Sequence, residues 1–161
     1  MQPRITSPAM SAPGALDALL ALSHAANEAA SQAGVPRTTI DLVHLRASQI
    51  NHCAVCLDLS CRYARKHGEA LDDRVLTLAA WRETAYFDDA ERAALALTEA
   101  ATRLSDRENP VPDQIWDEAA KHYDEPALAV LVLQIALINT WNRLNVTTGQ
   151  VAGEWLDQWV P

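Results

Sequence analysis

Glycine is scarce in this chain, five residues in 161, and no segment reads as a convincing strand. Alanine is abundant and apolar positions recur every three or four residues almost throughout, which is the periodicity of amphipathic helices. Cysteine is also rare. Its three copies, Cys53, Cys56 and Cys61, are too few, and odd in number, for a disulfide-rich secreted scaffold. Basic residues are outnumbered, 13 against 21 acidic ones for a net charge of −8. This balance argues against a nucleic-acid surface, whose affinity comes from Lys and Arg displacing counterions. A long hydrophobic run is missing too. The most apolar stretch, Ala127 to Ile138, is interrupted by Gln134 and falls short of the roughly 20 residues that span a bilayer. The apolar stretch Ala15–Leu22 contains Asp17, unlike a secretory leader, whose core is continuously apolar. No repeat period or low-complexity tract is seen.

What is present suits one globular domain of the all-α class. The length is that of a single domain, and 49% of the residues are hydrophobic. Residues 1–14, with Pro3, Pro8, Pro13 and Gly14, read as a poorly ordered arm. Residues 15–148 read as a bundle of about seven helices. The first runs over Ala15–Ala33 and ends at Gly34-Val35-Pro36; the second is capped by Thr38 or Thr39 and ends near Asn51. A third starts at His52-Cys53 and closes on His67-Gly68, and Asp72 opens a short fourth. Asp88 or Asp89 starts the fifth, Asp113–His122 forms the sixth after a loop over Ser105–Pro112, and Pro126 opens a long seventh through about Asn145. The tail, 149–161, carries Trp155, Leu156 and Trp159 and is apolar enough to dock on its own subunit or a neighbour. The five tryptophans read as core or interface aromatics, one or two of which could line a substrate pocket.

The chemistry concentrates at Cys53-Ala54-Val55-Cys56. A CxxC at a helix start places thiols where unpaired N–H groups favour negative charge, lowering a thiol pKa from about 8.5 to between about 3.5 and 7.5. Residues three apart on a helix are neighbours, so the two sulfurs can also close a disulfide. A zinc site built from this pair with Cys61 and His67 is disfavoured, because Cys61 is rotated by about 140° from Cys56 on one helix. No metal and no cofactor are expected. Cys61 reads as a small buried residue or a third redox thiol.

Three patches resemble one family. Asp41-Leu42-Val43-His44-Leu45-Arg46-Ala47-Ser48-Gln49-Ile50-Asn51 leading into the CxxC, then Trp81-Arg82-Glu83-Thr84-Ala85-Tyr86-Phe87, then Ile138-Asn139-Thr140-Trp141-Asn142-Arg143, are similar in content and order to the AhpD-like alkylhydroperoxidases of the carboxymuconolactone decarboxylase superfamily. The resemblance implies an all-helical fold that assembles into dimers, trimers or hexamers, and a thiol cycle that reduces hydroperoxides. It assigns Cys56 as the attacking thiol and Cys53 as the resolving one, with an unknown dithiol reductant reopening the disulfide.

The family's proton relay is altered. A glutamate twelve positions before the first cysteine is here Asp41, and a histidine four positions after the second is here Ser60. Ser60 can hydrogen-bond Cys56 at i,i+4 but cannot hold a proton near pH 7. General acid–base help typically supplies about 10²–10⁴-fold, so weak peroxidase activity is expected. His52 could replace the imidazole only if the helix extends back to it; His67 is too far, and His44 reads equally as a solvent-facing residue. The leading expectation is a cytoplasmic thiol oxidoreductase acting on organic hydroperoxides through Cys56, Cys53, Asp41 and Ser60, with no nucleic-acid or membrane partner. The alternative is a catalytically silent oligomeric member that binds a small molecule or protein or senses redox state. A lactone decarboxylase is a third option, against which the CxxC counts.

Overall fold

A long apolar helix needs firm ends, and the local sequence supplies them. Helix α8 spans Glu125–Thr148; the Asp124 side chain accepts from the Ala127 amide at 3.0 Å, Pro126 sits in the first turn, and Gly149 takes the left-handed conformation at the other end. In the computed structural model, which describes residues 2–66, 73–105 and 107–159, seven further α-helices surround it and no strand occurs among those residues. They are α1 (Pro8–Ser11), α2 (Ala15–Gln32), α3 (Arg37–Ile50), α4 (Ala54–Lys66), α5 (Asp73–Thr77), α6 (Asp89–Thr102) and α7 (Asp113–His122), with 3-10 segments at Leu78–Glu83 and Glu154–Trp159. The all-α bundle is as the periodicity predicts.

Helix α3 lies against both α6 and α8, and the main core forms where they meet, around Val43, Ala94, Leu97, Leu131 and Ile135. Small alanines on α6 let the helices approach closely, and each buried aliphatic side chain stabilises the bundle by about 1.5–3 kcal/mol. Asp88 and Glu91 start α6 with a reciprocal capping box. Helix α8 is long and apolar enough to cross a membrane by length and composition, yet 56% of its apolar window is packed inside the protein. It also buries Gln134, Asn139 and Asn142, each of which hydrogen-bonds elsewhere in the bundle.

Some boundaries differ from expectation. Pro36 takes the cap position of α3, and neither Thr38 nor Thr39 caps it; both lie inside the helix. The predicted end at His67-Gly68 and start at Asp72 lie outside the described residues. The amino-terminal segment, expected from its prolines and glycine to be loosely ordered, makes contacts with the end of α8. The Arg4 amide donates to the Thr148 carbonyl at 2.8 Å, its guanidinium to Thr147 at 2.7 Å, and Ala9 on α1 is 2% exposed. The physical reason is the end of α8, whose last carbonyls have no intrahelical donor and accept from Arg4 instead.

Candidate active site

The CxxC is held by the way α3 ends. The Cys53 amide donates to the Ser48 carbonyl at 3.0 Å and the His52 amide to Gln49 at 3.3 Å, the paired bonds of a Schellman turn. Helix α2 ends the same way, with Gly34 in the left-handed slot at φ 68°. After α3 that slot holds His52, at φ 55°. The ring is exposed and lies before α4 begins, so His52 does not stand in for the missing relay imidazole.

Cys53 then caps α4. Its carbonyl accepts from Leu57 at 3.0 Å, and its sulfur accepts from the Cys56 amide at 3.4 Å. The two sulfurs lie 2.8 Å apart as free thiols. Both are buried, Cys53 at 1% and Cys56 at 7% exposure. The hydrogen bond from Cys56 is the main cause that lowers the Cys53 thiol to about 7; burial opposes it, and the Cys56 amide with the Asn145 and Asn142 side chains assists. Cys56, as the donor in this pair and buried, is raised. One proton is thus shared between two sulfurs, and the pair surrenders the other more readily than an isolated thiol.

Asn145, near the end of α8, points its amide at both sulfurs, 3.5 Å from Cys56 and 3.9 Å from Cys53. It extends a ladder of asparagines three residues apart. Asn51 donates to Asn139 and Asn142 at 2.9 Å each, and Asn142 donates to Ser48 at 3.1 Å. This network fixes the α3–α4 turn against α8. The sequence reading did not single out Asn145, although the 139, 142, 145 spacing placed it on the same helical face.

A cavity of about 310 Å³ opens beside the pair. Cys56 and Ser60 stand in its wall, one turn apart on α4, while Cys53 lies behind them. Leu16, Leu20, Leu137 and Ile138 form much of its apolar surface, with Trp141, Trp155 and Trp159. The Glu154–Trp159 segment lies beside the site, with Leu156 buried at 2% and Asp157 paired to Arg62 at 2.5 Å.

His44 also faces this cavity, contrary to a solvent-facing reading. Its Nε2 lies 2.9 Å from Gln134 Oε1, and Gln134 in turn donates to Asn27 Oδ1 at 3.1 Å. Burial is the main cause that lowers its pKa to about 4, with Arg37 adding and the Gln134 bond opposing. Asp41 lies one turn earlier on α3 and accepts from Arg37 Nε at 2.9 Å; it is not in the cavity wall. Cys61 is half-buried and outside the wall as well. Among the described residues no cluster of His, Cys, Asp or Glu could hold a metal ion.

The patch around Trp81 has a structural role. Glu99 of α6 accepts from Arg46 Nε at 2.7 Å, Trp81 Nε1 at 2.9 Å and Arg82 at 2.8 Å. Burial would raise the Glu99 carboxyl, but these three donors outweigh it and hold it at about 2.

Comparison with known proteins bears on the family and the fold. The profile of the carboxymuconolactone decarboxylase family matches residues 13–100. The uncharacterised YdfG of Bacillus subtilis is 40% identical over 121 residues, covering 75% of this chain and 80% of that one; YnjA of Escherichia coli is 36% identical over 105 residues, 65% and 55%. A crystal structure from Agrobacterium tumefaciens, of a protein of unknown function described as a candidate AhpD antioxidant defence protein, superposes with a TM-score of 0.80 at 28% identity, over 95% of this chain and 99% of that one. The apo debrominase Bmp8 shares the fold alone, with a TM-score of 0.63 at 20% identity over 78% and 65%. The chain belongs to the carboxymuconolactone decarboxylase family.

Proposed function

We propose that the protein is a thiol-dependent peroxidase that reduces organic hydroperoxides through Cys56 and Cys53. The observation that carries this reading is the placement of Cys56 in the wall of a cavity with Cys53 2.8 Å behind it. In the first step the proton of Cys56 passes to Cys53, and the Cys56 thiolate attacks the terminal oxygen of ROOH. The S–O bond forms, the O–O bond breaks, and the alkoxide takes the proton from Cys53 and leaves as ROH. The Cys53 thiolate then attacks the sulfenic sulfur; the S–S bond forms, and hydroxide departs as water with a proton from solvent. An external dithiol reduces the disulfide and restores both thiols.

Asn145 supports the negative sulfur with a hydrogen bond, while Ser60 offers a hydroxyl where the family's relay carries an imidazole. Asp41 is engaged with Arg37, so its part in the proposed relay is indirect. Turnover is accordingly slow. A carboxylate-bearing lactone is a poorer fit, because no Lys or Arg is among the described residues of the wall and an unpaired buried carboxylate is costly. Exposed Leu20 and Leu22 on α2 and Val132 and Leu133 on α8 support self-association. A dithiol cycle suits the reducing cytoplasm.

The test is a count of thiols after one equivalent of cumene hydroperoxide. Wild type loses two of its three thiols and releases cumyl alcohol, and dithiothreitol restores both; Cys56→Ser does neither. Retention of all three thiols in wild type overturns the reading.

A further inference from the structure

The wall of the cavity holds no Lys, Arg, Asp or Glu among its described residues. A ligand that carries a full charge would lose its hydration there without gaining a counter-ion, which selects neutral molecules. The polar groups that remain are few and specifically arranged. Gln134 is 0% exposed, and because its amide nitrogen donates to Asn27, its oxygen faces His44. With the Gln134 oxygen toward the ring, His44 donates to it through Nε2–H. The imidazole is therefore held in one tautomer, and Nδ1 is left with a lone pair and no protein partner among the described residues. A pKa near 4 keeps the ring neutral, so Nδ1 remains an acceptor at physiological pH.

Ser60 also stands in the wall, and its hydroxyl can donate to a ligand oxygen. The cavity thus has apolar walls, an acceptor at His44 and neutral donors. A volume near 310 Å³ lies at the small end of the range for ligand pockets.

We propose that this cavity is a binding site for a small, neutral, apolar molecule with a single hydroxyl-type head group, an alcohol or a hydroperoxide, and that His44 Nδ1 accepts the hydrogen bond from that head. A hydroxyl group both donates and accepts; a ketone cannot donate to Nδ1, a hydrocarbon does neither, and a carboxylate brings an uncompensated charge. As a substrate assignment this rests on the peroxidase reading. As a binding site it does not, since an alcohol engages the same groups without reacting with a thiol.

The experiment titrates the reduced full-length protein with 2-phenyl-2-propanol, isopropylbenzene and phenylacetate, following tryptophan fluorescence and heat. The expected order is alcohol tightest, about three- to tenfold above the hydrocarbon as befits one neutral hydrogen bond, and at least tenfold above the carboxylate. His44→Phe brings the alcohol down to the hydrocarbon's affinity. Imidazole ¹⁵N resonances of wild type provide a readout that does not depend on how the variant folds: His44 shows a protonated Nε2 and a bare Nδ1 that shifts on addition of the alcohol and not of isopropylbenzene. Equal binding of the three probes, tighter binding of phenylacetate, or an Nδ1 resonance unmoved by the alcohol overturns the proposal. Alcohol binding without peroxide consumption supports the site while removing the peroxidase reading; peroxide consumption without alcohol binding removes the site and leaves that reading standing.

Discussion

The side-chain amide of Asn145, at the far end of α8, lies 3.5 Å from the sulfur of Cys56, a residue 89 positions earlier in the chain. The contact couples the asparagine ladder of α8 to the start of α4. It gives the thiol pair a fixed hydrogen-bond donor on a rigid element, in a position to favour the charged form of either sulfur.

Replacement of Asn145 by Leu removes that donor and keeps the apolar volume. The lower thiol pKa of the pair is expected to rise by about one unit, since a hydrogen bond to a charged group contributes about 1.5–3 kcal/mol and one unit is about 1.4 kcal/mol. In wild type, thiolate absorbance and iodoacetamide reactivity are expected to rise with pH through about 7. In the variant the rise moves upward, and alkylation at pH 7 slows several-fold. An unchanged alkylation profile would show that Asn145 leaves the thiolate unaffected.

His52 occupies a left-handed position that glycine fills at the end of α2. The Cβ of an L-residue is crowded there by about 1–2 kcal/mol. His52→Gly is expected to raise stability by about 1 kcal/mol, partly offset by the added freedom of the unfolded chain, and the melting temperature by about 2–4 °C for a chain of this length. Because the ring is exposed and apart from the sulfurs, thiol reactivity stays the same. A lower melting temperature would mean that the imidazole makes a contribution in the folded state that outweighs the strain.

Glu99 is a node joining α3, the Leu78–Glu83 segment and α6. Its carboxyl is held at about 2 in the folded protein, below the ordinary 4.5, so the unfolded state binds the proton more readily. The resulting stabilisation is fully present above about 4.5 and is lost as the pH falls through 2, amounting to about 2 kcal/mol once solvent screening is allowed for. Glu99→Gln should be less stable at pH 7 by about 2–3 kcal/mol, because Arg46 is left with a buried charge and no counter-ion. Its stability should also fall less steeply than that of wild type between pH 4.5 and 2. Parallel acid-unfolding curves would refute the assignment.

Ser60 stands in the cavity wall one turn beyond Cys56. Ser60→His places an imidazole at the relay position, and peroxide turnover with dithiothreitol is expected to rise at least tenfold, within the roughly 10²–10⁴-fold range of general acid–base help. The rate should depend on Cys56 in both backgrounds. A rate equal to wild type would show that proton transfer does not limit the reaction.

Much of the bundle was legible from the sequence because helix formation is local. The stripe Ala90, Ala93, Ala94, Leu97 and Ala101, the capping residue Asp88 and the proline at the head of α8 carry their meaning within a turn or two. The CxxC was legible for the same reason, since a spacing of three and a helix start together place two thiols side by side. The cap of α3 was misread because Pro36 and the threonines after it offer competing local solutions, and the position of the chain entering the bundle decides between them. The contacts of the arm were not legible because they are made with carbonyls at the end of α8, more than 140 residues away.

The sequence by itself determined the helical class, the helix ends that glycine, proline and aspartate punctuate, and the adjacency of Cys53 and Cys56. Tertiary structure alone decided which sulfur meets the cavity, that Asn145 is the donor beside it, and that His44 faces inward against Gln134 and Asn27. The physical reason is range. Backbone hydrogen bonds and capping act over three or four residues, whereas a cavity and the polar groups that line it exist only where α2, α3, α4, α8 and the tail converge, and no short window of sequence contains that convergence.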